Sequence, residues 1–396
     1  VEKGSPEYRR AIVAMFAAGL SIFNSLYFVQ AMLPTFVDEL GMSEAEAALA
    51  VSATTGMLAL FIVPASILSE RFGRGRVLVI SAPLAAAVGL ALPLATNGAQ
   101  LIALRAVQGV AIAGTPAVAM TWISEEMSPS AAPGAMGLYV SGSSIGGLLG
   151  RLIPAFAVDF VGWRWAVLLA SLSALACSVA MAFLLPAQRN FTPKPLRVGR
   201  EFSAMANHLR NPRLLGLYAV GFLGMGTFVS VYNMFGFRAV DFFGLPAALS
   251  ALIYLTYLSG TWSSARAGRY IRTFGRGRVV LGTAVIMLVG SVLLVSSSLW
   301  ATVIGLLGFT AAFFALHSGA SGWVGQVASR DRAEASSLYL LFYYVGSSVV
   351  GAATGWLFMH VGWGGFTAAI VGLLVVLVGV TVALALAERA EGRERK

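Results

Sequence analysis

Three side chains stand where their chemistry is conspicuous. Arg105, Arg151 and His317 each lie inside a long apolar run. A charge at a bilayer centre is unfavourable by about 2.5–3.5 kcal/mol on insertion scales, so such groups face a partner or a wet cavity. A guanidinium recognises carboxylates bidentately, and histidine exchanges a proton near neutral pH. The middles of the apolar runs hold no Asp or Glu. That basic interior favours an anionic, zwitterionic or neutral ligand over a cation. Asn24, Tyr27, Gln30, Gln108, Tyr343, Tyr344 and Ser347 add neutral polar groups in the same kind of run. Alternatives stand beside each reading: polar glue between helices for the neutral groups, hydrogen-bonded packing for His317, and for Arg105 a carbonyl or Asp38 partner, or snorkelling to the outer surface. A metal site is not expected, because His208, His317 and His360 lie in unrelated segments and Cys177 is the single cysteine. No nucleotide-binding loop appears, so ATP drive is not expected.

The elements that position these groups follow from composition. Of 396 residues, 58% are hydrophobic and 11% charged, against roughly 25% charged in a soluble domain. This is an integral membrane chain. Apolar runs long enough for a helical crossing, about 20 residues, fall at about 11–37, 47–68, 77–96, 99–123, 134–158 and 163–185, then at 214–236, 246–266, 279–298, 300–322, 334–358 and 364–387. They are continuously apolar and not alternating, which selects helices over barrel strands. The first run begins near Ala11 and is too long for a signal-peptide core. The formal net charge of +10 is a topology signal: all Lys and Arg except Arg105, Arg151, Arg164 and Arg238 fall in segments that share one side, including Lys194, Arg197, Arg395 and Lys396. The expected orientation therefore puts both termini in the cytoplasm.

The two halves echo each other. Phe72-Gly73-Arg74-Gly75-Arg76 recurs as Phe274-Gly275-Arg276-Gly277-Arg278, and Val161-Gly162-Trp163 as Val361-Gly362-Trp363. Leu138-Tyr139 recurs as Leu338-Tyr339, and Gly142-Ser143-Ser144 as Gly346-Ser347-Ser348. The expected fold is all-α, with 12 transmembrane helices in two pseudo-symmetric six-helix bundles at 1–186 and 214–396. A linker at 187–213, opening with Pro193 and Pro195, is expected to form an amphipathic helix with Phe202, Met205 and Leu209 on its apolar face and His208 on its solvated one.

Several motifs carry a family resemblance. Ser66-Ile67-Leu68-Ser69-Glu70-Arg71-Phe72-Gly73-Arg74-Gly75-Arg76 resembles the loop signature of the major facilitator superfamily, Gly-x-Leu-Ala-Asp-Arg-x-Gly-Arg-Arg. Ser66 replaces the first glycine, and Glu70 is one methylene longer than aspartate. Arg105-x-x-Gln108-Gly109 resembles the Arg-x-x-Gln-Gly signature of proton-coupled members. Gly142, Gly146 and Gly150 match the glycines of an antiporter pattern, with Gly147 in place of its proline and Arg151 in place of its last glycine. His317-Ser318-Gly319-Ala320-Ser321-Gly322-Trp323, with Tyr343-Tyr344-Val345-Gly346-Ser347-Ser348, is similar to the YnfM-like branch. The resemblance implies a gate role for Glu70, with Arg71 or Arg74 facing Glu125 or Glu126. In the second half Arg272 occupies the acid position. It further implies proton-coupled efflux of a small organic compound from a bacterial inner membrane, with no cofactor and the proton gradient as energy source. The expected partners are a small-molecule substrate, protons and the lipid bilayer, with no nucleic acid, and the chain is expected to act as a monomer. An importer or facilitator of an organic anion is the competing reading on the same fold. A remoter one is an intramembrane serine protease of rhomboid type, from Gly319-Ala320-Ser321-Gly322 with His317 one turn away.

Overall fold

A computed structural model describes residues 1–128, 131–193 and 198–394. Lys194, Pro195, Arg197, Arg395 and Lys396 lie outside the described residues. Among the described residues, nine helical stretches are long and apolar enough to cross a membrane. Two of them, Ala135–Leu184 and Glu334–Ala390, each hold two crossings that meet at a glycine with positive φ, Gly162 (77°) and Gly362 (64°). A more polar helix, Tyr257–Phe274, takes the remaining place. The result is the expected dozen crossings. The repeated Phe-Gly-Arg-Gly-Arg loops also turn on positive φ, 102° at Gly73 and 86° at Gly275, a region that a Cβ disfavours.

Residues 1–197 with 239–254 form one compact unit, and residues 198–238 with 255–396 form the other. Residues 239–254, which the sequence places in the second bundle, thus pack with the first. Span 1 departs from one continuous helix. Pro6–Tyr27 ends ahead of a 3-10 turn, Gln30–Met32, and a short helix, Leu33–Leu40. Pro34 is the cause: it has no N–H to donate back to Gln30 and its ring crowds that carbonyl. Span 4 breaks the same way before Pro116, into Gly98–Ile112 and Pro116–Glu126. Span 8 breaks into Ala247–Ala251, a tighter turn at Leu252–Thr256, and Tyr257–Phe274; no proline or glycine in it accounts for that. The linker carries the expected helix, Val198–His208. Its Met205 is buried beside Ala204, while Phe202 and Leu209 are exposed. His208 is not simply solvated: its Nε2 lies 2.9 Å from the Asp331 carbonyl oxygen.

The glycine stripe of span 5 brings two backbones together. A Cβ on Gly142 or Gly146 would collide with the carbonyl oxygens of Phe16 and Leu20, and one on Gly150 would sit 2.8 Å from Asn24 Cα. In the other unit Gly346 lies against Phe222 in the same manner. Small residues at every fourth position allow such close approach between helices. Gly146→Leu is therefore expected to force spans 1 and 5 apart and destabilise the protein by about 3 kcal/mol or more. Gly282→Ala, where an added Cβ meets nothing within 4 Å, is expected to leave stability equal or higher. Thermal unfolding of the two variants in one detergent distinguishes them.

Candidate functional site

Arg105 is wholly buried, and its partners are mainly backbone carbonyls, with the Phe28 ring centroid 5.3 Å from its guanidinium carbon. Nε donates to the Ala50 carbonyl at 2.9 Å, Nη1 to Ser25 at 2.8 Å, and Nη2 to Leu26 at 2.6 Å. Nη1 also donates to Gln108 Oε1, and Gln108 Nε2 passes the link to the Ala85 carbonyl at 2.9 Å. Ser25 and Leu26 stand in the last turn of Pro6–Tyr27, where carbonyls lack helical donors and the helix dipole favours a cation. Gly109 completes the junction, because a Cβ there would strike the Thr54 carbonyl. Spans 1, 2, 3 and 4 thus meet at one arginine and one glutamine. Neither snorkelling nor the Asp38 pairing is what the fold uses, since the carbonyls lie within reach at the membrane's depth.

Arg151 is held differently. It is buried at 1% exposure, with Nε donating to Gln30 Oε1 at 2.7 Å and Nη1 to the Gly147 carbonyl of its own helix at 2.6 Å. Its guanidinium carbon lies 4.3 Å from the Tyr27 ring centroid and 5.3 Å from that of Tyr254. Two rings and an amide side chain therefore meet the cation besides that carbonyl; such ring contacts are worth about 2 kcal/mol or more when desolvated. Asn24 turns toward span 6 instead. It donates to Ser173 Oγ at 2.8 Å and the Ala170 carbonyl at 3.3 Å, tying span 1 to span 6.

In the second unit, His317 is half-buried on the continuous helix Leu299–Val327. Its Nδ1 lies 3.0 Å from Tyr339 Oη, and its ring is 4.6 Å from that of Tyr343 and 6.3 Å from that of Phe313. Tyr344 packs edge-on to Tyr343 at 5.1 Å. Ser347 is buried one turn beyond Tyr343, and its Oγ has no hydrogen-bond partner among the described residues. The first half has Tyr139 Oη donating to the Pro116 carbonyl at 3.4 Å in the corresponding place. A titratable ring thus replaces a structural carbonyl. Ser321 Oγ donates to the Ser318 carbonyl at 3.3 Å, on the same helix as His317.

The loop signature forms an ionic cluster. Arg74, 5% exposed, donates Nη2 to Glu70 at 3.2 Å and to Glu125 at 3.3 Å, and Nη1 to the Ser66 carbonyl at 3.0 Å and to Ser69 Oγ. Arg71 is exposed, and Arg74 is the one that meets an acid of span 4. Glu126 meets backbone donors instead. Its carboxylate accepts the backbone N–H groups of Arg189 and Asn190, both at 3.0 Å, because the chain leaving span 6 passes over it. Gln188 Oε1 accepts from Gly75 N at 2.8 Å. The other unit keeps the geometry and exchanges the charges. Arg276 donates to Gln326, in the place of Glu125, and Gly277 N donates to Glu388 at 2.7 Å, in the place of Gln188.

Sequence reading did not single out Tyr254, Gln188, Gln326 or Glu388. The repeat offset of about 200 residues is a signal that finds the last three; for Tyr254 there is none.

The family described as Major Facilitator Superfamily matches residues 13–272. The chain is 40% identical over 382 residues to the inner membrane transport protein YnfM of Escherichia coli K12, covering 96% of this chain and 92% of that one. It is 34% identical over 386 residues to the uncharacterized MFS-type transporter YybF of Bacillus subtilis 168, covering 97% and 96%. A bacterial homologue of the human lysosomal transporter Spinster, inward-facing and unoccupied, matches with a TM-score of 0.78 over 98% of both chains. At 13% identity, that likeness shows the fold.

The Arg105 junction yields a prediction independent of transport. Arg105→Lys keeps the charge, but an ammonium cannot span three carbonyls and an amide as a planar fork does. A loss of about 2–4 kcal/mol is expected, read as a lowered unfolding temperature in detergent.

Proposed function

Because the chain belongs to the major facilitator superfamily and is a membrane transporter like its relatives, we propose that it is a proton-coupled exporter of a small organic anion, zwitterion or neutral compound. It works by alternating access, in which one bundle rocks against the other around a site at mid-membrane. It acts as a monomer in the bacterial inner membrane with both termini in the cytoplasm, and the proton gradient drives it without a cofactor.

The observation that carries the cargo reading is the contrast between the two buried arginines. Arg105 is bound to carbonyls of neighbouring helices, which a moving bundle carries along unchanged. We assign it, with Gln108, to positioning. Arg151 donates once to a carbonyl of its own helix and otherwise meets Tyr27, Gln30 and Tyr254, side chains that change rotamer without unfolding a helix. A carboxylate that displaces an aromatic ring from the guanidinium exchanges a cation–π contact for a bidentate ion pair. Tyr27 and Gln30 then line the cargo site, with Asn24 as support behind it.

His317 is the coupling group in this reading. Neutral, it accepts a hydrogen bond at Nδ1 from Tyr339; protonated, it donates Nδ1–H to the Tyr339 oxygen. Tyr343, Tyr344 and Ser347 complete its surroundings. Glu70 and Arg74, with Glu125, form the cytoplasmic latch, and protonation or separation of that trio frees it. Gly73 supplies its turn, and Arg71 and Glu126 border it.

A thermal-stability screen with carboxylates and phenolics beside cationic drugs, at two pH values, identifies a solute for flux in proteoliposomes. Stabilisation by the cationic drugs alone overturns the cargo reading. Arg151→Gln is expected to lower counterflow of the identified anion at least about tenfold, a loss of about 1.4 kcal/mol; flux at the wild-type rate overturns the Arg151 assignment. His317→Ala is expected to keep downhill counterflow and lose accumulation driven by a pH gradient. Unchanged accumulation removes His317 from coupling. Comparison of inverted with right-side-out vesicles sets the direction, and uptake against the expected sense replaces export by import.

A further inference from the structure

Tyr257–Phe274 crosses with one side packed and the other bearing charge. Tyr257, Gly260, Ser263 and Ala267 are buried, with Ser263 Oγ donating to the Ala311 carbonyl at 2.6 Å. The opposite side exposes Leu258, Trp262, Arg266, Arg269 and Thr273, spaced as a single helical stripe. In the first half the matching positions are Gly56, Leu60, Pro64, Ile67 and Arg71, of which Leu60, Pro64 and Arg71 are exposed; charge there is confined to the loop end, and the rest is an apolar set suited to lipid. Arginine stands in the repeat position of Pro64.

Arg266 does not reach for the near end of its helix. It lies eight residues before Phe274, about 12 Å along the axis, and its guanidinium carbon is 4.3 Å from the Trp262 ring centroid. Trp262 is one turn farther from the arginine-rich loop, so the cation points toward the middle of the crossing. Snorkelling would point the other way. In hydrocarbon that orientation would leave the charge without water, and no carboxylate lies within ion-pair distance of Arg266 among the described residues.

We propose that this stripe faces water and that Arg266 with Trp262 forms a second recognition station, one that binds an aromatic carboxylate. The guanidinium takes the carboxylate and the indole packs against the ring. Arg269, one turn nearer the loop, draws anions toward it. This station rests on the anionic-cargo reading proposed for Arg151, and extends it with an aromatic preference.

The test uses full-length protein in proteoliposomes, with Cys177→Ser and Ala265→Cys as the sole thiol; Ala265 is exposed beside Arg266. The probes are anionic sulfonatoethyl and cationic trimethylammonioethyl methanethiosulfonate, with 2-naphthoate and 2-naphthylmethylammonium as competitors. Both reagents are expected to label the thiol. Arg266→Gln is expected to lower the anionic-to-cationic rate ratio at least about threefold, whereas Arg266→Lys keeps the ratio. Naphthoate is expected to slow labelling at least about threefold when Arg266 and Trp262 are present, and the ammonium analogue is not. A thiol that resists both water-borne reagents yet reacts after detergent solubilisation, a ratio unaffected by Arg266→Gln, or equal slowing by the two competitors overturns the station. None of these rates involves Arg151, so such failure leaves the Arg151 reading intact, and wild-type flux in Arg151→Gln leaves these rates intact.

Discussion

A desolvated guanidinium that must find oxygen atoms inside the membrane organises the first half of this protein. Arg105 is satisfied because the first helix ends at Tyr27 and leaves the Ser25 and Leu26 carbonyls of its last turn open. Removing the charge would strand carbonyls, and continuing the helix would strand the charge. Gln108 extends the junction to span 3 and Gly109 lets span 2 approach. The Arg-x-x-Gln-Gly motif thus has a packing reason for each of its three named residues. In the other unit hydroxyls meet instead. Tyr232 Oη lies 2.5 Å from both Thr256 and Thr310, joining spans 7, 8 and 10. A neutral junction suits helices whose ends provide no surplus of carbonyls.

The duplication is preserved more faithfully in geometry than in chemistry. Each Phe-Gly-Arg-Gly-Arg loop turns at its first glycine, points an arginine at the end of the fourth helix of its half, and receives an acceptor from the end of the sixth. Acid and amide have traded places between the two acceptors: Glu125 and Gln188 in one unit, Gln326 and Glu388 in the other. Each cluster therefore keeps one carboxylate among these two positions, but only in the first unit does it pair with the arginine. Glu70, absent from the second half where Arg272 stands, makes the first cluster the more strongly charge-dependent. The same divergence appears at Tyr139 and Tyr339, whose hydroxyls meet a proline carbonyl in one half and His317 in the other. Single side chains differ on a repeated scaffold.

Much of the scaffold was legible in the residue string. Twelve apolar runs, the repeat at an offset near 200, the glycine stripe and the linker helix all follow from hydrophobic length, periodicity and the conformational freedom of glycine. These are local properties, carried by neighbouring residues and independent of the partner. That Arg71 or Arg74 meets Glu125 or Glu126 was implied by the family resemblance, and the fold selects Arg74 with Glu125. The place of Glu126 was not legible: its partners are backbone N–H groups at Arg189 and Asn190, and backbone donors have no signature in composition. Span 8 was expected to be continuous, and its break at Leu252–Thr256 has no local cause.

What the sequence determined by itself is that this chain lives in a bilayer, crosses it twelve times as two copies of one unit, and buries a few cations whose presence demands partners. Which cation meets the carbonyls of neighbouring helices and which meets aromatic rings was decided by tertiary structure alone. Arg105 and Arg151 look alike as letters in apolar runs. They part because one meets the open end of the first helix and the other meets Tyr27, Gln30 and Tyr254. The physical reason is that an arginine in low dielectric takes its role from the donors and acceptors placed around it, and those come from residues far away in the chain.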